Sequence, residues 1–166
     1  STITINEGEF SFSSTLNQKR AYIYAGAGTT AYVKGGTFGK ASTRSGYTAG
    51  ILGEGTVIIT GGTFGFDPSA WVAPGYKVVK NGDKYYVVAE NVSAVASTQD
   101  EINAAVAAGG TVVVAAGEYT FPGSSIKEGT TLDCEEGTVF KGQSSLNIKG
   151  ATVEGATFDN PGGTVV

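Results

Sequence analysis

The sequence predicts an all-β protein made of parallel β-helix or solenoid-like coils, with one short capping helix. Three observations predict it. The five residues GGTFG occur twice, at Gly35–Gly39 and Gly61–Gly65, each after a short strand-forming run. Phe10, Phe38 and Phe64 end three such units, at intervals of 28 and 26 residues. A fixed period between about 20 and 50 residues marks a solenoid, whose units cannot bury a face alone. Finally, Gly supplies 26 of the 166 residues without collagen spacing, and only 16% of residues are charged. That balance suits many tight turns between short strands.

The elements follow in order. In TITINEGEF, Ile3 and Ile5 alternate with Thr before Glu7-Gly8-Glu9-Phe10. AYIYAG and TVIIT favour strand through β-branched and aromatic residues, with Gly at their edges. No stretch before residue 97 has helical spacing. The Gly pair of each GGTFG frees the backbone at a corner, and Thr-Phe resumes a strand. Phe10, Phe38 and Phe64 then stack as an internal ladder. The competing reading is a set of hairpins in a sandwich. The repeat breaks at FDPSAWVAPGYKVVKNGDKYYVVAE, which holds two prolines, the only Trp and a hairpin. YKVV and KYYVV flank Lys80-Asn81-Gly82-Asp83, and Asn-Gly is a strong hairpin signal. This closing piece, with Trp71 as plug, ends a first domain of residues 1–90.

Residues 91–166 start afresh after the short apolar linker AENVSAVAS. The segment 97–109, STQDEINAAVAAG, predicts a helix that caps the second coil. Thr98 and Glu101 have capping-box spacing, Gly109 suits the position past the C-terminus, and Ile102, Ala105 and Val106 share a face. GGTVVVAAGEYTF, GTTLDCEEGTVF and LNIKGATVEGATF follow, their aromatics Tyr119, Phe140 and Phe158 being 21 and 18 residues apart. The run Gln99–Phe140 resembles the entry of pectate-lyase-like right-handed β-helices, in which a short helix caps the open N-terminal end. The GGTF…DPSAWVAPGYKVVKNG stretch similarly resembles Gly-Gly-Thr-Phe repeats with a trailing hairpin in bacterial and phage surface proteins. GATFDNPGGTVV at the far end carries no recognisable cap, so a neighbouring subunit or a scaffold is expected there. The residues expected to touch neighbours are Ile3, Ile5, Thr164, Val165 and Val166.

Composition narrows the chemistry. With 11 basic and 15 acidic residues and no basic block, no nucleic-acid partner is expected. No run approaches 18 apolar residues, so no membrane span is expected. STITINEGEF lacks a basic start and an apolar core, and reads as an ordinary start after removal of Met rather than a signal peptide. Cys134 is the single cysteine and there is no histidine. An internal disulfide, Cys-cluster and His-based metal sites, and His-dependent nucleophiles are thereby excluded. Cys134 itself reads as a buried inert thiol. No cofactor is expected. The lyases of the resembling superfamily use Arg with acid-bound calcium, yet no Arg follows Arg44. Arg20 and Arg44 both lie in Ser/Thr/Gly-rich loops, so the resemblance carries no activity over.

Asp133 and Glu135 are two apart and would share a strand face, which a carboxylate pair needs; a solvated face explains them equally. GAGTTAYVKGG lacks the strand–turn–helix context of a phosphate site. Among the tyrosines, Tyr22 and Tyr24 alternate with Ala21 and Ile23, and Tyr85 and Tyr86 face opposite ways, which suits contact surfaces or plain packing. The expectation is a non-enzymatic structural virion protein, a phage capsid decoration or head-fibre component. It would be assembled in the host cytoplasm, bind capsid or other virion proteins, and form a homo-oligomer, with trimers suggested by analogy. The alternatives are a carbohydrate-binding or depolymerase-related tailspike-like module that meets a host-surface glycan, and a bacterial surface adhesin module.

Overall fold

Short β-branched runs separated by glycine bends give short strands, most of them paired in parallel with a counterpart one repeat away. The structure, a computed structural model, describes residues 1–12, 20–41, 50–142, 145–146, 150–159 and 164–165. Contacts divide the chain into two compact units, Ser1–Glu90 and Asn91–Val166. It is mostly β, with several parallel sheets.

In the first unit, β1 (Thr2–Ile5), β4 (Thr30–Val33) and β7 (Thr56–Ile59) form one parallel sheet. β2 (Glu9–Phe10), β5 (Thr37–Lys40) and β8 (Thr63–Gly65) form the parallel part of a second, and β3 (Ile23–Tyr24) pairs β6 (Ile51–Leu52) in a third. The register equals the repeat seen in the sequence: Ile3 lies beside Ala31 and Ala31 beside Val57, while Phe10 lies beside Phe38 and Phe38 beside Phe64. The phenylalanine rings stack at 4.7 and 4.8 Å, nearly parallel at 6° and 4°. Phe38, Phe64, Val33 and Ile59 are buried in a core that Ile23, Ile51 and Val87 complete.

The GGTFG motif has a steric reason. A Cβ on Gly35 would sit on the carbonyl oxygen of Asn6 in the preceding repeat, and one on Gly61 would sit on that of Lys34. The second glycine of each pair, Gly36 or Gly62, takes a φ of 100° or 106°, a region that side chains avoid. Its carbonyl serves the next layer, since Thr63 N–H donates to Gly36 O at 2.9 Å.

β9 (Tyr76–Asn81) and β10 (Lys84–Ala89) form the expected hairpin, and β10 runs antiparallel to β8, Tyr85 opposite Phe64 and Tyr86 opposite Thr63. β9 runs two residues further into the turn than the sequence suggests, while β10 starts at Lys84 as expected. Asn81 pairs Lys84, which leaves Gly82 and Asp83 as the central turn residues. Gly82, at φ 59°, takes the first central place that a primed hairpin turn reserves for positive φ. Trp71 ends a short 3-10 turn, Ser69–Trp71, and is half-buried against this core. Val72 then bridges Ile59 and extends the first sheet by one position.

The second unit corrects the expected linker. Val92–Ala96 is a strand, β11, which pairs β12 (Thr111–Val114), followed by β14 (Thr131–Cys134) and β17 (Thr152–Glu154), all parallel. A second sheet holds β13 (Gly117–Thr120), β15 (Thr138–Lys141) and β18 (Thr157–Asp159), and β16 (Ser145–Leu146) pairs β19 (Thr164–Val165). Helix α1 spans Gln99–Ala108 and buries Ile102 and Val106 in one core with Val112, Val114, Leu132 and Phe140. Thr98 Oγ1 accepts from Glu101 N–H at 3.3 Å, while the Glu101 carboxylate accepts from Ser97 N–H at 2.8 Å, one residue before the usual reciprocal partner. Lys127 Nζ donates to Ala108 O at 3.1 Å and supplies the cation that the last turn lacks.

α1 also protects an edge. Gln99 Oε1 accepts from Thr120 N–H at 2.7 Å, and Gln99 Nε2 donates to Thr120 O at 3.0 Å. Its amide thus pairs the outer strand of the β13 sheet as another strand would. The aromatics of this unit keep register but stack less closely than in the first, Phe140 and Phe158 lying 5.7 Å apart at 30°. Tyr119 and Phe140 are tilted at 6.3 Å, and the buried ring against Phe140 is Phe121, edge-on at 5.2 Å.

The ladder generates a graded prediction. Phe38→Ala removes a fully buried ring flanked on both sides, and is expected to cost about 3–5 kcal/mol. Phe10→Ala removes a half-buried end ring and should cost less than half as much. Urea denaturation of the two variants checks the order; equal losses would contradict the stacked arrangement.

Candidate functional site

The first unit has two unlike ends. Alternation along β1, β4 and β7 sends Ile3, Ala31 and Val57 inward in one row and Ile5, Val33 and Ile59 in the next. Ala31 and Val57 are buried, but Ile3 is 57% exposed although it occupies the same inward row. Ile5 and Phe10 are half-buried for the same reason: no described residue covers the outer side of the first repeat. Glu7 and Glu9 are exposed beside them.

The opposite end is closed more fully. Val72 continues the first sheet past β7, and the β9–β10 hairpin continues the second past β8. Between these two extensions lies an open cleft of about 450 Å³, walled by Val72, Pro74, Tyr76, Lys77, Val78 and Glu90 among others. Lys77 Nζ donates to the Glu90 carbonyl at 3.0 Å. Lys80 lies 5.4 Å from the Tyr85 ring centre. Asp67, bound by the hydroxyl and N–H of Ser69, has its pKa lowered by those hydrogen bonds.

A second ring stack, with no period in the sequence, lies beside the first. Two residues after each ladder phenylalanine stand Phe12, Lys40 and Phe66. Tyr22 fills the place that Lys40 leaves without a ring, 4.2 Å from Phe12 and 6.1 Å from Phe66, with its hydroxyl donating to Lys40 O at 3.1 Å. Glycines make room for this stack, since Gly39 has the Tyr22 hydroxyl where a Cβ would be, and Gly50 has the Phe66 ring. Desolvation in this cluster raises the Tyr22 pKa. Arg20 lies 5.6 Å over the Phe12 ring; Arg44 lies outside the described residues. Tyr24, by contrast, points out at 74% exposure, and Tyr32 faces outward from β4. Tyr85 is half-buried and Tyr86 buried.

The sequence-derived acid pair is corrected. β14 ends at Cys134, so Glu135 lies beyond the strand; its carboxylate accepts from Ala116 N–H at 3.3 Å across the next turn. Asp133 stays exposed on β14, in register with Val113 and Glu154. Among the described residues no group of three or more His, Cys, Asp or Glu is placed to hold a metal. GAGTTAYVKGG leads into β4 and then a bend, with no helix after it. No described helix is long and apolar enough to cross a membrane.

Of the residues expected at interfaces, Ile3 and Ile5 share the open end of the first unit. Thr164 and Val165 form β19 beside Ser145 and Leu146, with backbone alone described, and Val166 lies outside the described residues. Comparison with protein-family models, curated proteins and solved structures finds no match to the chain.

Cys134 gives this geometry a chemical check. Burial pushes its thiol up to about 12, with the Asp133 charge adding to the effect. The thiol stays protonated at neutral pH, and only the thiolate attacks. Iodoacetamide at pH 8 is expected to leave the folded protein unlabelled and to modify it fully in denaturant. Rapid native labelling would place Cys134 at the surface.

Proposed function

We propose that this chain is a structural assembly module built of two parallel β-helical coils, and that it serves as a phage capsid decoration or head-fibre component. The parallel sheets support the coil reading, because in the first unit each of β1 to β8 pairs its counterpart in a neighbouring repeat. The Gly-Gly-Thr-Phe repeats and trailing hairpin support the phage reading by resemblance alone. The observation that carries the assembly reading is Ile3, a residue of an inward apolar row left 57% exposed at one end of the stack. Uncovered apolar surface beside an open strand edge marks an interaction site or an aggregation hazard. On this reading the partners are capsid or other virion proteins, the chain forms a homo-oligomer, and its place is the virion. No residue is assigned a catalytic role.

A second reading has its own observation. Tyr24 and Tyr32 expose aromatic surface on the outside of the first unit, and exposed tyrosines beside small polar residues suit glycan as well as protein contacts. A carbohydrate-binding module would use them.

Quantitative mass spectrometry of purified particles from the source separates the readings. A fixed copy number per particle is expected. Peptides found only in cell-wall or secreted fractions, together with glycan-array binding lost in Tyr24→Ala, would favour the second reading and overturn the first.

A further inference from the structure

We infer that the first unit associates head to tail with a second copy of this chain, the open first repeat of one copy seating on the cleft end of the next. This goes beyond the virion reading and is independent of it, because every feature used lies within Ser1–Glu90.

The first argument is steric, and it defines the head. In the repeats, Gly35 and Gly61 carry no side chain because the preceding repeat places the Asn6 or Lys34 carbonyl where a Cβ would go. The corresponding residue in the first repeat is Glu7. A further repeat laid beneath it in the same geometry would drive a carbonyl into the Glu7 Cβ. The first repeat is thus a terminal layer by its own residues. Its inward Ile3, Ile5 and Phe10 need a cover of another shape.

The second argument is complementarity between the ends. The second sheet runs in the order β2-β5-β8-β10-β9, so β2 is one edge and β9 the other. TITINEGEF at the head carries Glu7 and Glu9 and no base, whereas YKVVKN, the whole of β9, carries Lys77 and Lys80 and no acid. β9 is antiparallel to β10 and β10 antiparallel to β8, so β9 runs in the same direction as β2. As a hairpin strand it belongs to no repeat, so it brings no counterpart of the Asn6 and Lys34 carbonyls that a further repeat would press on Glu7. The tail cleft lies beside β9 and is lined by Val72, Pro74 and Val78 together with the polar Ser69, Lys77 and Glu90. An exposed Ile3 at one end and, at the other, a cleft of mixed lining in which Val72, Pro74 and Val78 supply the apolar part are the two halves of a heterologous contact. Such contacts build rings or open fibres rather than closed two-fold dimers. Glu90 lines the same cleft, and the Lys77–Glu90 neighbourhood leaves Lys80 as the more exposed cation.

Light scattering across a concentration series tests the inference on the full chain. The mass is expected to climb past twice the monomer at low salt and to fall back in 1 M salt, where screening acts within about 3 Å. Two charge-reversed proteins sharpen the test, Lys77→Glu with Lys80→Glu, and Glu7→Lys with Glu9→Lys, each checked for native circular dichroism. Each alone should stay at the monomer mass, and an equimolar mixture should regain the large species, because only unlike proteins then match head to tail. Lys80→Glu alone provides a milder variant should the double change disturb β9. Ile3→Ser should weaken association about tenfold without unfolding an already exposed position. A wild-type monomer at all concentrations, a mass that stops at the dimer, or reversed proteins whose mixture stays monomeric would each overturn the inference.

Discussion

The separation of adjacent parallel strands governs the rest of this structure. Neighbouring strands lie about 4.7–4.9 Å apart, and the ladder rings of Phe10, Phe38 and Phe64 repeat at 4.7 and 4.8 Å. That distance lets flat rings touch face to face. It also brings the backbone of one repeat against the corner of the next. The same spacing therefore rewards an aromatic at one position and forbids a Cβ at another three residues earlier. Gly35 and Phe38, or Gly61 and Phe64, are two consequences of one distance.

This coupling explains what could be read from the sequence. The 28- and 26-residue intervals became strand registers because each repeat must lie on its neighbour, and Phe38 and Phe64 became core because the ladder has only one inward direction. The helix was legible through local chemistry: Thr98 and Glu101 before Ile102, and Gly109 after Ala108, are signals that act within one or two turns. What stayed hidden depends on contacts far apart in the chain. Val92–Ala96 looked like an apolar linker because its strand character comes from β12 alongside it. Tyr22 gave no sign that it would complete a stack with Phe12 and Phe66, since its partners are set by a loop and not by a period. Phe121 replaced Tyr119 as the buried ring because Tyr119 turns its hydroxyl to the carbonyls of Ala115 and Ser97, at 3.0 and 3.3 Å.

The expected site residues divide in the same way. Ile3 and Ile5 were expected at an interface from their place at the start of the first coil, and the structure places them in inward rows at an open end. The Asp133–Glu135 pair failed because alternation was extended past the end of a strand, where Glu135 instead caps a neighbouring turn through Ala116. Alternation is a property of paired backbone, and sequence does not show where pairing stops. The cleft by Val72 and Val78 had no sequence signal at all, since it arises where a single bridge at Val72 and a hairpin leave a gap between them.

The two units solve the problem of a raw edge by different means, and the contrast bears on function. In the second unit a single amide, Gln99, satisfies both backbone groups of Thr120, and the helix behind it covers the core with Ile102 and Val106. In the first unit one end receives an antiparallel hairpin. The other end keeps an inward isoleucine in water and a glutamate where the repeat demands glycine. Glu7 leaves an end that refuses a further layer of its own kind while still exposing apolar surface. Such an end is selective. It rejects indefinite growth of the repeat and leaves room for a surface of different shape, which is the property an assembly contact requires and an ordinary cap does not.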